Sequence, residues 1–223
     1  MFNNVVLHPV KKANITYRYK LEQFERDLKE KMDAIPKDKF VEPPLRITGP
    51  TLEALKYTFD TKEIRELYLE LLASAMNMDK VNDTHASFVD IIKVLSPTDA
   101  YIFNRVTEHG GQVASGRISI GYDNSVFTHG MPSFYTPVLN EGINPFEASK
   151  SLQNLIRLGL ITHLDNGISG YNYEEYKTHH FVESRLKEYK TMMPDKEMVI
   201  KVNGEVVILN DFGWAFKKVC LPH

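Results

Sequence analysis

The sequence predicts a mainly helical α+β protein: an N-terminal helical region, residues 1–95, and a winged-helix-like region, residues 96–223, packed as one unit. Apolar residues recur at three- and four-residue steps over most of the first region, which is typical of amphipathic helices. Helix start signals and short β-branched runs alternate in the second. Asn203-Gly204 lies between two such runs, a pattern that favours a small β-hairpin, which would be the wing.

The first region begins with a long apolar stripe in the segment YRYKLEQFERDLKEKMDAI. Its spacing predicts one amphipathic helix. The apolar residues are Tyr17, Leu21, Phe24, Leu28, Met32 and Ile35. A stripe this narrow packs either on helices of its own chain or on a second copy, so self-association through this helix stays open as an alternative.

The proline-rich stretch 35–50 predicts an extended connector, because proline lacks a backbone donor and restricts φ. Four apolar residues should hold this connector against the core: Phe40, Val41, Leu45 and Ile47.

Three helices follow, over residues 51–59, 60–79 and 84–95, as the spacing of their apolar residues indicates. Asp60 and Thr84 are predicted N-caps, since their side-chain oxygens can accept hydrogen bonds from free backbone amides.

The stretch HASFVDIIKVLSPTDA, residues 85–100, contains a histidine, two serines and two aspartates, which raises the question of a catalytic cluster. A Ser/His/Asp triad would need a strained nucleophile turn and an oxyanion site, and neither pattern is present. Instead, Ser96 is expected to cap a helix with Pro97 in its first turn and Asp99 at its positive end. The stretch therefore predicts a joint between two helices.

The second region has the element order of a winged-helix module. In chain order its predicted elements are a helix at Thr98–Glu108, a strand at Arg117–Ile120, a helix at Pro145–Leu158 capped by Asn144, a strand at Leu160–Leu164, a hairpin at Met198–Leu209 and a last helix opening at Asn210. A helical insertion separates the second strand from the hairpin, which departs from the module. The helix at Pro145–Leu158 takes the recognition position.

The exposed side of that helix is expected to present residue types suited to base edges: Ser149, Lys150, Gln153, Asn154 and Arg157. From Asn144 to the end of the chain, however, there are ten Lys or Arg residues and ten Asp or Glu residues, so this region is neutral before histidine is counted. Phosphate contacts supply much of nucleic-acid affinity, so a neutral region favours a protein partner. We therefore predict that this helix contacts a protein, with nucleic acid as the alternative. The predicted contact residues are Lys150, Gln153, Asn154 and Arg157.

A second candidate contact lies in the low-charge segment SVFTHGMPSFYTPV, whose aromatic residues are Phe127, Phe134 and Tyr135. Aromatic side chains in such segments serve as anchors for partners. The alternative is that they pack beneath a long loop.

Bulk composition excludes several classes of protein. The chain has 223 residues and a net charge of −2, which is not the strong positive charge of a nucleic-acid or membrane-surface protein. Cys220 is the only cysteine, so an internal disulfide and a cysteine-rich zinc site are excluded, and a buried, inert thiol is expected. We find neither a signal peptide nor a membrane span and expect a cytoplasmic protein, although a preceding segment would reopen membrane association.

Metal and cofactor motifs give no prediction of a site. Glu175, His179 and His180 come closest, but adjacent histidines point in different directions on a helix, and a solvated face accounts for them. We predict no catalytic, cofactor or metal residues, and therefore no enzyme.

Several phrases resemble the Abi-alpha family, a bacterial group linked to abortive phage infection. They are YKLEQFERDLKEKMDAIP, ALKYTFDTKEIRELYLELLASAMN, HASFVDIIKVLSPTDA, LIRLGLI and LNDFGWAFKKVCLP, and they run from about Tyr19 to Pro222. His85-Ala86 stands where the family pattern leads us to expect His-Pro. The resemblance implies a role in phage defence and supplies no catalytic residue. We therefore predict a phage-defence protein that acts through protein contacts, with a winged-helix nucleic-acid-binding regulator as the alternative.

Overall fold

The computed structural model describes residues 8–58, 61–122, 125 and 130–222. Within these residues the chain forms eight α-helices and three strands, besides short 3-10 turns. They are α1 (His8–Asp33), α2 (Leu45–Thr58), α3 (Lys62–Ala75), α4 (Ser87–Val94), α5 (Pro97–Glu108), β1 (Gln112–Gly121), α6 (Pro145–Arg157), β2 (Ile161–Leu164), α7 (His180–Met192), β3 (Val199–Leu209) and α8 (Asp211–Cys220). This composition confirms the mainly α, α+β class. The winged-helix likeness stays a prediction.

Two compact units divide the chain. The first unit comprises the chain up to Ala100 together with the residues from Ala215 onwards. The second unit is Tyr101–Trp214. The end of the chain joins the first unit because Phe216 packs edge-on against Phe88, with ring centroids 5.3 Å apart, and is fully buried. The domain boundary expected after residue 95 remains a prediction.

The first unit is built from amphipathic helices. The broad apolar face of α3 is buried as its spacing predicts, including Ile64, Leu67 and Leu71. Polar contacts flank this packing: Lys31 of α1 forms ion pairs with Glu66 (2.7 Å) and Glu70 (2.6 Å) of α3.

The extended connector predicted over residues 35–50 is wrong in its second half, where α2 already begins at Leu45. The carbonyl of Pro44 accepts hydrogen bonds from the amides of Ile47 (2.9 Å) and Thr48 (3.1 Å), which starts the helix. Ile47 is buried as expected. Phe40 and Leu45 are exposed instead, Leu45 by 83% at the first position of α2, and Val41 is half-buried.

The helix joint at residues 85–100 is confirmed. The Ser96 hydroxyl accepts from the Asp99 amide (3.1 Å), and the Asp99 carboxylate accepts from the Ser96 amide (2.8 Å), which is a reciprocal capping box. Thr84 is not the cap of α4, because its hydroxyl donates to the Val81 carbonyl (2.6 Å). The predicted cap Asp60 lies outside the described residues.

The second unit contains a three-stranded antiparallel sheet in the order β1-β3-β2. The β2 strand predicted from the sequence is present, and β1 is longer than expected at ten residues. Asn144 caps α6 as predicted by accepting from the Phe146 amide (2.9 Å).

The hairpin predicted at Asn203-Gly204 is wrong, because β3 runs straight through this pair. Gly204 lies directly opposite Gly116 of β1. A Cβ at Gly204 would lie 2.6 Å from the ring of Tyr173, and one at Gly116 would lie 2.8 Å from the ring of Tyr176. The glycine thus makes room for an aromatic ring, which competes with its local preference for a turn.

Candidate functional site

Helix α6 is fixed by its cap and by its buried face, to which Ala148, Leu152 and Leu155 belong. Lys150, Gln153 and Arg157 are exposed on the other side, as the helical spacing predicts, and Asn154 is half-buried. Ser149, which was expected on the exposed side, is buried instead. Its hydroxyl accepts a hydrogen bond from the backbone amide of Phe134 (3.1 Å), and this contact explains its inward position.

Partners within α6 hold the polar groups of its exposed face. Lys150 forms an ion pair with Glu147 one turn earlier. The guanidinium of Arg157 donates to the Asn154 side-chain oxygen from Nε (3.1 Å) and Nη2 (2.7 Å). Both signs of charge are therefore interleaved, and the phenyl ring of Phe146, 41% exposed, stands at the start of the same helix.

The predicted aromatic contacts have different environments. Tyr135 is buried, and its ring stacks on Phe181 at 5.8 Å. Burial raises the pKa of the Tyr135 phenol to about 12. Phe134 is half-buried and lies 4.8 Å from the ring of His163. Phe127 lies outside the described residues. For Tyr135 this placement agrees with the packing alternative.

An ionic network lies within the sheet. Glu205 of β3 has an acidic side chain of which only 4% is exposed. One carboxylate oxygen lies 3.0 Å from Arg117 Nε on β1, and the other lies 2.9 Å from His163 Nε2 on β2. Asp165, directly after β2, brings a carboxylate oxygen within 3.8 Å of His163 Nδ1. All three strands thus contribute to one polar cluster.

His163, Asp165 and Glu205 could also hold a metal ion, since one ligand atom from each lies within 4.8 Å of the others. This group differs from the one considered in the sequence, which was Glu175 with His179 and His180. His179 lies 3.3 Å from the Tyr135 hydroxyl, and Glu175 accepts from the Asn172 amide group (2.9 Å).

Sequence reasoning missed this network because each member looked like an ordinary strand residue. The segment VNGEVVIL contains a weak signal: Glu205 comes directly before a β-branched run, and such a run is typical of a buried strand. Its partners on β1 and β2 lie far away in sequence, and only the strand register brings them together.

A groove of about 300 Å³ in the first unit lies between α1 and α3, and its lining includes Lys31, Glu70 and Lys80. Although burial alone lowers the pKa of Lys31, hydrogen bonds to Glu66 and Glu70 outweigh it and raise that pKa. A catalytic lysine needs a lowered pKa, so the groove does not favour lysine chemistry.

Comparison with known families decides the affiliation. The sequence model described as "Abortive infection alpha" matches residues 16–220. The chain belongs to the abortive infection alpha family. The resemblance found in the sequence is thereby confirmed, and the family name places the protein in the context of phage defence.

Other comparisons add little. No curated protein matches the sequence. Among solved structures, an uncharacterized protein from the hydrocarbon-degrading marine bacterium Alcanivorax borkumensis SK2 is 12% identical, with a TM-score of 0.35. That match covers 59% of this chain and 90% of the other. Over the ranges that the structure describes, the helices are too short or too polar to cross a bilayer.

Proposed function

We propose that this protein acts in phage defence by binding a protein partner through the exposed face of α6, without catalysing a reaction. Membership of the abortive infection alpha family supports the defence role. The partner is a phage or host protein, and a cytoplasmic location, expected from the sequence, belongs to the same proposal.

The pairing of charges on α6 is the observation that carries the choice of a protein partner. A surface that binds nucleic acid gains most of its affinity by bringing unpaired cations to phosphates. Here Lys150 forms an ion pair with Glu147, whereas Arg157 is hydrogen-bonded to the neutral Asn154 side chain and keeps its positive charge. A phosphate would have to compete with the Glu147 carboxylate, whereas a protein can match both signs of charge.

The exposed ring of Phe146 supports the same partner class. Aromatic and arginine side chains are enriched among residues that dominate the energy of protein interfaces. The ring of Phe146 packs edge-on against the ring of Phe181, with centroids 5.8 Å apart. One side of the ring is therefore in contact with the protein, while 41% of the residue remains accessible. Together with Arg157, it gives one helix two groups of the required kind.

Three buried groups that could in principle act as nucleophiles are held in their protonated forms. Burial raises the pKa of the Cys220 thiol and of the Tyr68 and Tyr176 phenols. A nucleophile or general base is activated by the opposite shift, towards the deprotonated form near neutral pH.

A phage challenge tests the proposal. Cells carrying the full gene are infected at low and high multiplicity, and we expect survival of the culture only at low multiplicity. The triple variant Lys150→Ala, Gln153→Ala, Arg157→Ala should reduce protection by about tenfold or more, as expected when residues each worth over about 1 kcal/mol of binding are removed. Exposed Lys187→Ala with Lys190→Ala on α7 is the matched control and should protect normally.

Two results contradict the proposal. Full protection by the folded triple variant, at wild-type protein level, would mean that α6 is not the contact surface. Binding of duplex DNA that falls steeply with salt and is lost in the triple variant would establish the nucleic-acid alternative instead. Circular dichroism of each variant shows whether a loss of protection comes from unfolding.

A further inference from the structure

We propose that His163, Asp165 and Glu205 form a binding site for a divalent transition-metal ion, with Zn²⁺ as the reference ion. One imidazole and two carboxylates suit such an ion better than Mg²⁺ or Ca²⁺, which prefer oxygen ligands alone. The inference is independent of the partner surface on α6.

The spacing of His163 and Glu205 fits an ion, and rotation of the exposed Asp165 side chain would bring the third ligand to it. His163 Nε2 and the nearer Glu205 oxygen are 2.9 Å apart. Two ligands that each lie about 2.0–2.2 Å from one ion are themselves separated by about 2.9–3.5 Å. Asp165 must rotate toward the Nε2 side, because its carboxylate now approaches Nδ1, the other ring nitrogen, at 3.8 Å, although the three ligand atoms lie within 4.8 Å of one another. Its side chain is 90% exposed and therefore free to rotate.

Arg117 orients the carboxylate that would bind the ion. It holds one oxygen of Glu205 at 3.0 Å and leaves the other directed at His163. Metal-binding carboxylates are commonly fixed by such an outer hydrogen bond. The formal charges of the two carboxylates and the guanidinium sum to −1, so a divalent cation is favoured.

A second observation comes from Ser115 of β1. This residue is fully buried, and its hydroxyl has no hydrogen-bond partner among the described residues. Ser115 lies directly opposite Glu205 in the strand register, so both side chains stand on the same face of the sheet, about 5 Å apart at Cβ. A buried hydroxyl without a partner is costly. Water bound to the ion, the usual fourth ligand where a protein supplies three, would satisfy it.

Access to the site is graded from solvent to the interior. Asp165 is exposed, His163 is half-buried and Glu205 is buried. An ion would therefore meet Asp165 first and reach Glu205 last. The ring of Phe134 lies 4.8 Å from the His163 ring and shields this side of the imidazole.

Metal titration tests the site. The full chain is treated with a chelator, dialysed and titrated with ZnCl₂ by calorimetry, and CoCl₂ is used in parallel to follow visible absorption. We expect one ion per chain and a higher melting temperature with Zn²⁺. His163→Ala and Asp165→Asn should each weaken binding by more than about 100-fold, beyond the 10–100-fold typical of outer hydrogen-bonding residues. Arg117→Ala should fall within that 10–100-fold range.

Matched controls make the outcome decisive. His180→Ala removes an exposed histidine elsewhere in the same unit and should leave affinity unchanged. Asp165→Asn alters only an exposed side chain, so it tests the site without risk to folding. Equal Zn²⁺ affinity in wild type, His163→Ala and Asp165→Asn would reveal adventitious surface binding and overturn the proposal. Absence of binding to the wild type would overturn it as well.

Discussion

The two units of the molecule differ in what their interiors contain. The first is built from apolar helix faces, with residues such as Leu71, Phe88 and Phe216 buried and its ion pairs kept nearer the surface. The second encloses an acidic residue, Glu205, and places aromatic rings over strand glycines. The first unit therefore depends on area removed from water, whereas the second also depends on how closely particular groups fit.

That difference explains where sequence patterns succeed. A helix face is encoded by residues three and four apart, so the evidence for it lies within one segment. Contacts such as those of Gly204 with Tyr173, or of Glu205 with Arg117 and His163, join segments far apart in the chain. A local pattern cannot contain that information.

The largest effect is expected in the core of the first unit. Phe88→Ala should lower the free energy of unfolding by about 3–5 kcal/mol, because a fully buried ring is lost and a cavity remains. Urea unfolding followed by circular dichroism measures it. Val94→Ala on the same helix, 52% exposed, is the control and should cost less than about 1 kcal/mol. Similar losses in both variants would show that burial does not govern this unit.

Two glycines sharpen the comparison of the units. Gly204→Ala should destabilise by about 1–3 kcal/mol, because its Cβ would lie 2.6 Å from the Tyr173 ring. Gly49→Ala in α2 meets no atom within 4 Å and should stabilise by about 0.5–1 kcal/mol, since alanine favours the helix. Thermal and urea unfolding report both. If both substitutions changed the free energy of unfolding in the same direction, close packing around a glycine would not distinguish the second unit from the first.

A smaller effect is expected from the helix caps, which occur in both units. Ser96→Ala and Asn144→Ala should each cost about 0.5–2 kcal/mol, because each leaves a backbone amide without its acceptor. Ser96→Thr and Asn144→Asp keep an acceptor and should restore most of the stability. The midpoint of urea unfolding is the readout, and an unchanged midpoint in the alanine variants would contradict the capping role.

The smallest effect separates strand from turn at Asn203. In β3, Asn203→Thr should change stability by less than about 0.5 kcal/mol, because the residue is exposed and threonine suits an extended backbone. In a two-residue hairpin the same change would be costly, since that turn requires φ > 0 and disfavours a β-branched side chain. A destabilisation above about 1 kcal/mol would indicate that Asn203 lies in a turn, as in the predicted hairpin, and would contradict the continuous strand.

Much of the fold could be predicted from particular residues. The apolar spacing of α3 and the caps Ser96 and Asn144 depend on short-range geometry, and the structure contains each of them. The start of α2 at Leu45 could not be predicted, because the prolines around it suggested an extended chain. At the predicted contact surface, Lys150, Gln153 and Arg157 are exposed as expected, whereas Ser149 is turned inward by the distant Phe134 amide.

The sequence by itself determined the apolar face of α3, the ends of α5 and α6, the family and most of the exposed side of α6, because each of these depends on residues close together in the chain. Only the tertiary structure decided that Asn203-Gly204 continues a strand and that Glu205 meets Arg117 and His163. The physical reason is competition: pairing along all of β1, together with the Tyr173 ring over Gly204, outweighs a local turn preference.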